Sequence, residues 1–151
     1  MIMANKDYDR LVTERINQYN GHIIAKNGQD KLGVDYIDLN GFAFLQFTIF
    51  TATTVKTLKG CNVKLICASS QHEIQSDTDE IESDFSHELN TGILDFDIDL
   101  EDEFEGFLFE NEVTQIQFNF EKTIFEFNEI NLDLLSKVVA GEFNVYLEEE
   151  E

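Results

Sequence analysis

The sequence contains no proline and no tryptophan, and only two of its 151 residues are cysteine. Average usage of about 5% would supply several prolines in a chain of this length. Because there is none, no helix or strand is interrupted by proline. Without tryptophan, the 14 phenylalanines must supply the bulk of the interior. Cys61 and Cys67 would lie roughly 20 Å apart on one extended strand, beyond the reach of a disulfide. We therefore predict two buried free thiols.

Basic residues are scarce, and none occurs between Lys64 and Lys122. Residues 1–64 contain eight basic and six acidic side chains, whereas residues 65–151 contain two basic and 25 acidic ones. The formal net charge of −21 therefore arises in the second part of the chain. Such a surface repels nucleic acid and anionic lipid, because phosphate binding depends on cations that displace counterions. Basic proteins or metal cations are the partners that this charge favours.

The sequence also lacks targeting, membrane and catalytic signatures. No apolar run is long enough to span a bilayer, and the first residues lack the apolar core of a signal peptide, so we predict a cytoplasmic protein without membrane attachment. Phosphate-binding loops, dinucleotide-binding turns, nucleophile elbows and zinc-binding His-Glu-x-x-His helices are absent. His22, His72 and His87 are far apart in sequence. We predict no catalytic residue, no cofactor and no enzymatic activity.

The most apolar segment is 41–55, and we predict that the rest of the fold is built around it. At a period of two, one face has Phe42, Phe44, Gln46, Thr48 and Phe50, and the other has Ala43, Leu45, Phe47, Ile49 and Thr51. This pattern is typical of a strand that is covered on both faces. The preceding Asn40-Gly41 predicts a tight hairpin turn from a strand at 34–39.

Further short strands are predicted after this hairpin, at 61–68, 94–100, 107–109, 113–120 and 123–127, and a short strand at 22–25 is possible. Segment 76–89 is ambiguous. Ile81, Phe85 and Leu89 have helical spacing, whereas Ile81, Ser83, Phe85 and His87 alternate at two. We favour a strand, because the surrounding segments are strands and this one is rich in Ser and Asp.

Two helices are predicted, one near each end of the chain. The first is capped by Asn5 and ends at Asn20-Gly21, and its apolar stripe is Tyr8, Leu11, Val12, Ile16 and Tyr19. The second follows Asn131 and ends at Gly141, before a last strand with Phe143, Val145 and Leu147.

Together these elements predict an α+β fold that is mainly β. We expect an antiparallel curved sheet, barrel- or sandwich-like, with an N-terminal helix and a C-terminal helix. Residues 1–147 are predicted to form a single domain and 148–151 an acidic tail.

Acidic residues alternate with apolar ones at 94–100, which places their carboxylates on the outer face of the predicted strand. Neighbours on one face are about 7 Å apart, too far to hold one small ion without further ligands. An EF-hand loop would need glycine where Leu100 stands. A solvated face is the simplest interpretation, and a protein-binding surface or a metal site are the alternatives. We predict no metal ligand and name as candidate partner-binding residues Asp95, Asp97, Asp99, Glu101, Asp102 and Glu103.

Two functions follow as hypotheses. The first is a cytoplasmic interaction protein of the inhibitor or bacterial immunity type, whose acidic C-terminal half binds a basic protein partner and blocks its nucleic-acid-binding surface. The alternative is a small β-barrel that binds an apolar ligand in a Phe-lined cavity, with the acidic residues serving solubility. The first hypothesis requires the carboxylates to gather on one side of the molecule.

Overall fold

The computed structural model describes residues 5–143, which form two packed antiparallel sheets, a two-stranded ribbon and three helices. The helices are α1 (Asn5–Asn17), α2 (Asp102–Glu110) and α3 (Leu132–Val139). The strands are β1 (His22–Asn27), β2 (Asp30–Leu39), β3 (Phe42–Thr51), β4 (Lys56–Thr57), β5 (Cys61–Ile66), β6 (Gln71–Gln75), β7 (Ile81–Glu82), β8 (Asp84–Ser86), β9 (Thr91–Asp99), β10 (Gln115–Phe120) and β11 (Thr123–Phe127).

The strand order is β1-β2-β3-β9-β8 in the first sheet and β11-β10-β5-β6 in the second, and β4 pairs with β7. All of these pairs are antiparallel. The predicted α+β, mainly β fold with a helix near each end is therefore confirmed, and the two sheets form a sandwich rather than a closed barrel.

The core lies between the inner faces of the two sheets, where apolar side chains alternate with outward-facing polar ones. In β10 the alternate residues Ile116, Phe118 and Phe120 are buried. Phe118 contacts Phe47 of the first sheet, with ring centroids 5.2 Å apart. Aromatic rings thus join the two sheets at their centre, where edge-to-face contacts add to the burial of apolar area.

The hairpin between β2 and β3 is confirmed. Asn40 and Gly41 have φ angles of 56° and 92°, as the favoured two-residue hairpin turn requires, and Leu39 pairs with Phe42. The predicted central position of β3 is also confirmed, because two strands flank it on each side.

Burial on both faces of β3 is confirmed for residues 47–51 and is wrong for the first half of the strand. Phe47 is fully buried, but Phe42 is 70% exposed and Phe44 is half-buried. The reason is that α1 crosses the outer face of the first sheet near Phe50 and Ile93 and does not reach the hairpin end.

The apolar stripe predicted for α1 is partly wrong. Val12 and Thr13 are buried against the sheet, whereas Tyr8 and Leu11 are more than 40% exposed. Thr13 shares a hydrogen bond with Ser86 of β8, so the face of α1 that contacts the sheet is partly polar.

The strand predicted at 107–109 is wrong, because these residues belong to α2. Phe104 and Leu108, four residues apart, are the buried pair of this helix. Segment 76–89 contains the short strands β7 and β8, in agreement with the favoured interpretation, and the possible strand at 22–25 is present as β1.

The remaining sequence predictions have mixed outcomes. Asn131 caps α3 by accepting a hydrogen bond from the Leu134 amide, as predicted.

Cys61 is buried and free, but Cys67 lies beyond the end of β5 and is half-buried, so the prediction of burial is wrong there. Apart from Phe143, which lies in a turn, the predicted last strand and the tail 148–151 are outside the described residues. No helix between residues 5 and 143 has the length and apolar character needed to span a membrane.

Candidate partner-binding surface

The outer face of the first sheet brings together three of the six candidate residues. Strands β2, β3 and β9 place their outward side chains in rows that run across the sheet. Each row gives the residue of β2 first, then that of β3 and then that of β9. At the hairpin end, the first row is Leu39 and Phe42, and the second is Ile37, Phe44 and Asp99. The next rows, towards α1, are Asp35, Gln46 and Asp97; then Gly33, Thr48 and Asp95; and finally Lys31, Phe50 and Ile93. The outward orientation predicted for the three aspartates is therefore observed.

Asp95 is the candidate residue that the fold uses internally. The Arg15 guanidinium of α1 donates hydrogen bonds to Asp84 at 2.8 Å and to Asp95 at 3.2 Å. The Tyr8 hydroxyl also donates to Asp84, and burial together with this carboxylate raises the pKa of Tyr8 to about 12. Asp95 therefore fixes α1 to the sheet, and its charge is already compensated.

Asp97 lies one row further from α1 and pairs with no cation among residues 5–143. Its Oδ1 is buried and has no hydrogen-bond partner among the described residues. The backbone amide of Asp77 donates to the Asp97 carbonyl at 2.8 Å, which brings a second acidic residue to this position. Burial, followed by the charges of Asp95 and Asp77, raises the pKa of Asp97, while the Gln46 side chain opposes the shift. The result is a half-buried carboxylate in a negative environment.

The other four candidates follow Asp97 along the chain, from the end of β9 to the first turn of α2. Asp99 is exposed at the end of β9, and Glu101, Asp102 and Glu103 follow at the start of α2. Carboxylates at a helix N-terminus are favoured by the helix dipole, which explains why they gather there. Within residues 5–143, Asp97 and these four residues take part in no ion pair. We call these five residues the acidic surface.

Apolar side chains stand beside this acidic surface, and the sequence pattern predicts that two of them, Phe42 and Phe44, are covered. Leu39 is 58% exposed and Phe42 is 70% exposed, while Ile37 and Phe44 in the next row are half-buried. We call these four residues the open half-face. The hydrophobic pattern identified the strands, but it contains no signal for which part of a face stays uncovered.

The outer face of the second sheet has a different chemistry. Amide side chains dominate it: Asn62, Gln71, Gln75, Gln115, Gln117 and Asn119. Its two carboxylates, Glu73 and Glu126, accept hydrogen bonds from these amides at 2.9–3.2 Å. Lys64 lies between them in the same row. This face is therefore nearly neutral, in contrast to the acidic surface.

Other kinds of site receive less support from the described residues. No group of three or more His, Cys, Asp or Glu side chains in this part of the chain could hold a metal ion.

The aromatic rings of the core contact one another, for example Phe118 with Phe127 at 6.1 Å between centroids. A cavity of about 350 Å³ lies instead beside α1, and its lining is mixed: Ile16, Tyr19, Ile23, Phe50 and Leu89 with Gln29, Lys31 and Thr91. Binding of an apolar ligand in a Phe-lined cavity stays a prediction.

Comparisons with models of protein families, with curated proteins and with solved structures found no significant match. Only the chemistry of the protein's own surface therefore indicates its function.

Replacing Asp97 by asparagine is expected to stabilise the protein near neutral pH by about 0.5–1 kcal/mol, a typical gain from improving surface charge. The raised pKa of Asp97 means that the folded state holds this proton more tightly than the unfolded state. Stability therefore falls as pH rises from the ordinary aspartate pKa through the raised value, and the asparagine variant lacks this loss.

Urea denaturation at several pH values between about 3 and 7 measures this difference, because the window covers ordinary carboxyl pKa values and neutrality. Asp99→Asn on the same strand is the control, since its side chain is exposed and a smaller change is expected. Equal pH profiles for the wild type and Asp97→Asn would contradict the assignment.

Proposed function

We propose that the protein is an acidic interaction protein that binds a basic protein partner through the acidic surface. The observation that carries this proposal is the acidic surface itself: two outward aspartates of β9 and three carboxylates at the start of α2, none of which has an ion pair within residues 5–143, whereas the outer face of the second sheet is rich in amides. Like charges that lack cations cost stability through self-repulsion, so the placement of Asp97 and Asp99 on one strand face favours a role in binding.

An inhibitor or immunity-type activity is the form of this function that the chemistry supports best. A nucleic-acid-binding toxin or enzyme presents Lys and Arg arranged to neutralise phosphates. Carboxylates on a rigid strand and at a helix start can occupy such a surface and thereby exclude nucleic acid. Complementary charge would act chiefly on the association rate and on specificity.

Affinity capture from a native lysate at low salt tests this proposal, with elution by a salt gradient and identification by mass spectrometry. We expect a basic protein whose binding weakens steeply with ionic strength, because exposed charges separated by more than about 10 Å are screened at 0.1 M salt. Capture that is indifferent to salt, or capture of acidic proteins, would count against it.

Neutralising the acidic surface is expected to slow association with this partner. For the double variant Asp97→Asn, Asp99→Asn, we expect an association rate about fivefold lower at low salt, and a difference that disappears at high salt. Surface plasmon resonance at several salt concentrations measures both effects.

The double variant Glu73→Gln, Glu126→Gln is the matched control. It removes the same charge from the outer face of the second sheet, where the glutamine oxygen can still accept one amide hydrogen bond at each position. If both double variants slowed association equally, binding would depend on net charge and the acidic surface would have no special role.

A further inference from the structure

The open half-face is an apolar area that the described part of the chain leaves uncovered. Phe42 and Leu39 form a cross-strand pair at its tip, and Ile37 and Phe44 form the next pair inward. Exposures of 70% and 58% for the tip residues contrast with the buried Phe50 at the other end of the same strand face, under α1. Contiguous exposed apolar side chains with polar neighbours are typical of a protein-interaction site.

The position of the carboxylates restricts what can cover this area. Asp99 is the cross-strand neighbour of Phe44, and Asp97 and Asp35 occupy the adjacent row on either side of Gln46. The apolar centre is thus bordered by negative charge along β9 and along the row towards α1. A second copy of this chain, packed through the same face, would bring these carboxylates towards each other and be repelled.

We propose that the open half-face is the anchor of the partner interface and that it receives a cationic amphipathic segment of a basic protein. Apolar side chains of that segment pack on Phe42 and Leu39, and its Lys or Arg side chains lie against Asp97 and Asp99. This inference rests on the proposed function and adds the chemistry of the partner. Apolar anchors within a charged rim are the usual distribution of binding energy in interfaces, in which aromatic residues dominate.

Two synthetic peptides of equal length and charge test this inference directly. In one, lysine alternates with leucine, and in the other, lysine alternates with serine. Fluorescence anisotropy at moderate salt is expected to show binding of the lysine–leucine peptide at least about tenfold tighter than that of the lysine–serine peptide. The double variant Leu39→Ser, Phe42→Ser is expected to remove this preference and to leave lysine–serine binding unchanged.

Ile124→Ser is the matched control, because Ile124 is 60% exposed on a strand of the second sheet. It is expected to leave the preference intact. Since Leu39 and Phe42 are also largely exposed, their serine variants are expected to fold, and circular dichroism checks this.

Each other outcome overturns the inference in a recognisable way. Equal binding of both peptides would show that the open half-face is not an apolar anchor, and it would not contradict the proposed function. Binding of neither peptide would remove both proposals. A leucine preference that survives the double variant would place the anchor elsewhere. Wild-type dimers in sedimentation velocity that become monomers in the double variant would show that a second copy covers the face.

Discussion

Replacing Phe118 by alanine is expected to lower the free energy of unfolding by about 3–5 kcal/mol, the usual cost of truncating a buried phenylalanine. Phe118 is fully buried in β10, and its ring lies 5.2 Å from Phe47, 5.9 Å from Phe96 and 6.1 Å from Phe127, measured between centroids. Alanine would leave a cavity where the two sheets meet, and the rings around it cannot collapse without separating from their own neighbours.

Urea denaturation followed by circular dichroism measures this loss, with an unchanged dependence on urea if the transition stays two-state. Phe42→Ala is the control, because it removes the same atoms from a side chain that is 70% exposed. We expect that control to change stability by no more than about 0.5 kcal/mol. Similar losses in the two variants would mean that Phe118 does not hold the sheets together.

Much of the first sheet could be predicted from the sequence, because local signals and burial agree there. Asn40 and Gly41 take positive φ angles that few other residues tolerate, so these two residues were sufficient to predict the hairpin. In β9, Leu94, Phe96 and Ile98 alternate with acidic residues, and one face of that strand is indeed buried. Such a pattern predicts which face of a strand is buried, even when the element that covers this face is unknown.

Helix α2 could not be predicted by the same logic. Phe107 and Phe109 alternate with other residues as in a strand, and the helical signal was limited to Phe104 and Leu108 at a spacing of four. A short apolar run is compatible with both periods, and tertiary packing decides between them. Here the buried pair of α2 joins the core, while Phe109 is 49% exposed.

The candidate surface was only partly predictable for a related reason. Alternation placed Asp95 and Asp97 on one face, but it could not show that Arg15, 80 residues away in sequence, compensates Asp95 and not Asp97. Nor could it show that α1 stops short of Phe42. Both facts depend on where a helix lies across a sheet, and a single sequence contains little information about that position.

Arg15 is the cation on which this position of α1 depends. Its guanidinium bridges Asp84 of β8 and Asp95 of β9, and the three side chains are 36–43% exposed. Hydrogen bonds between charged groups contribute about 1.5–3 kcal/mol when desolvated, and solvent screening reduces this value for half-exposed groups. Without the cation, the two carboxylates would face each other next to Asp97.

Replacing Arg15 by glutamine is therefore expected to lower the free energy of unfolding by about 1–2 kcal/mol at low salt, because two bridged carboxylates lose their partly screened cation together. Arg10→Gln is the matched control on the same helix. Arg10 pairs with Glu14 at 3.6 Å with both side chains at least half exposed, so we expect a loss of about 0.3–0.5 kcal/mol.

Adding Asp95→Asn to Arg15→Gln is expected to recover part of the loss, because it removes one of the carboxylates that the variant leaves unpaired. Denaturation of the two single variants and the double variant, at low and high salt, forms a double-mutant cycle that isolates this coupling. Salt should also recover part of the loss, since it screens the repulsion between Asp84 and Asp95. If the two substitutions were additive at low salt, the bridge would not hold α1 on the sheet, and the other contacts of the helix, such as the packing of Val12 and the hydrogen bond between Thr13 and Ser86, would have to do so.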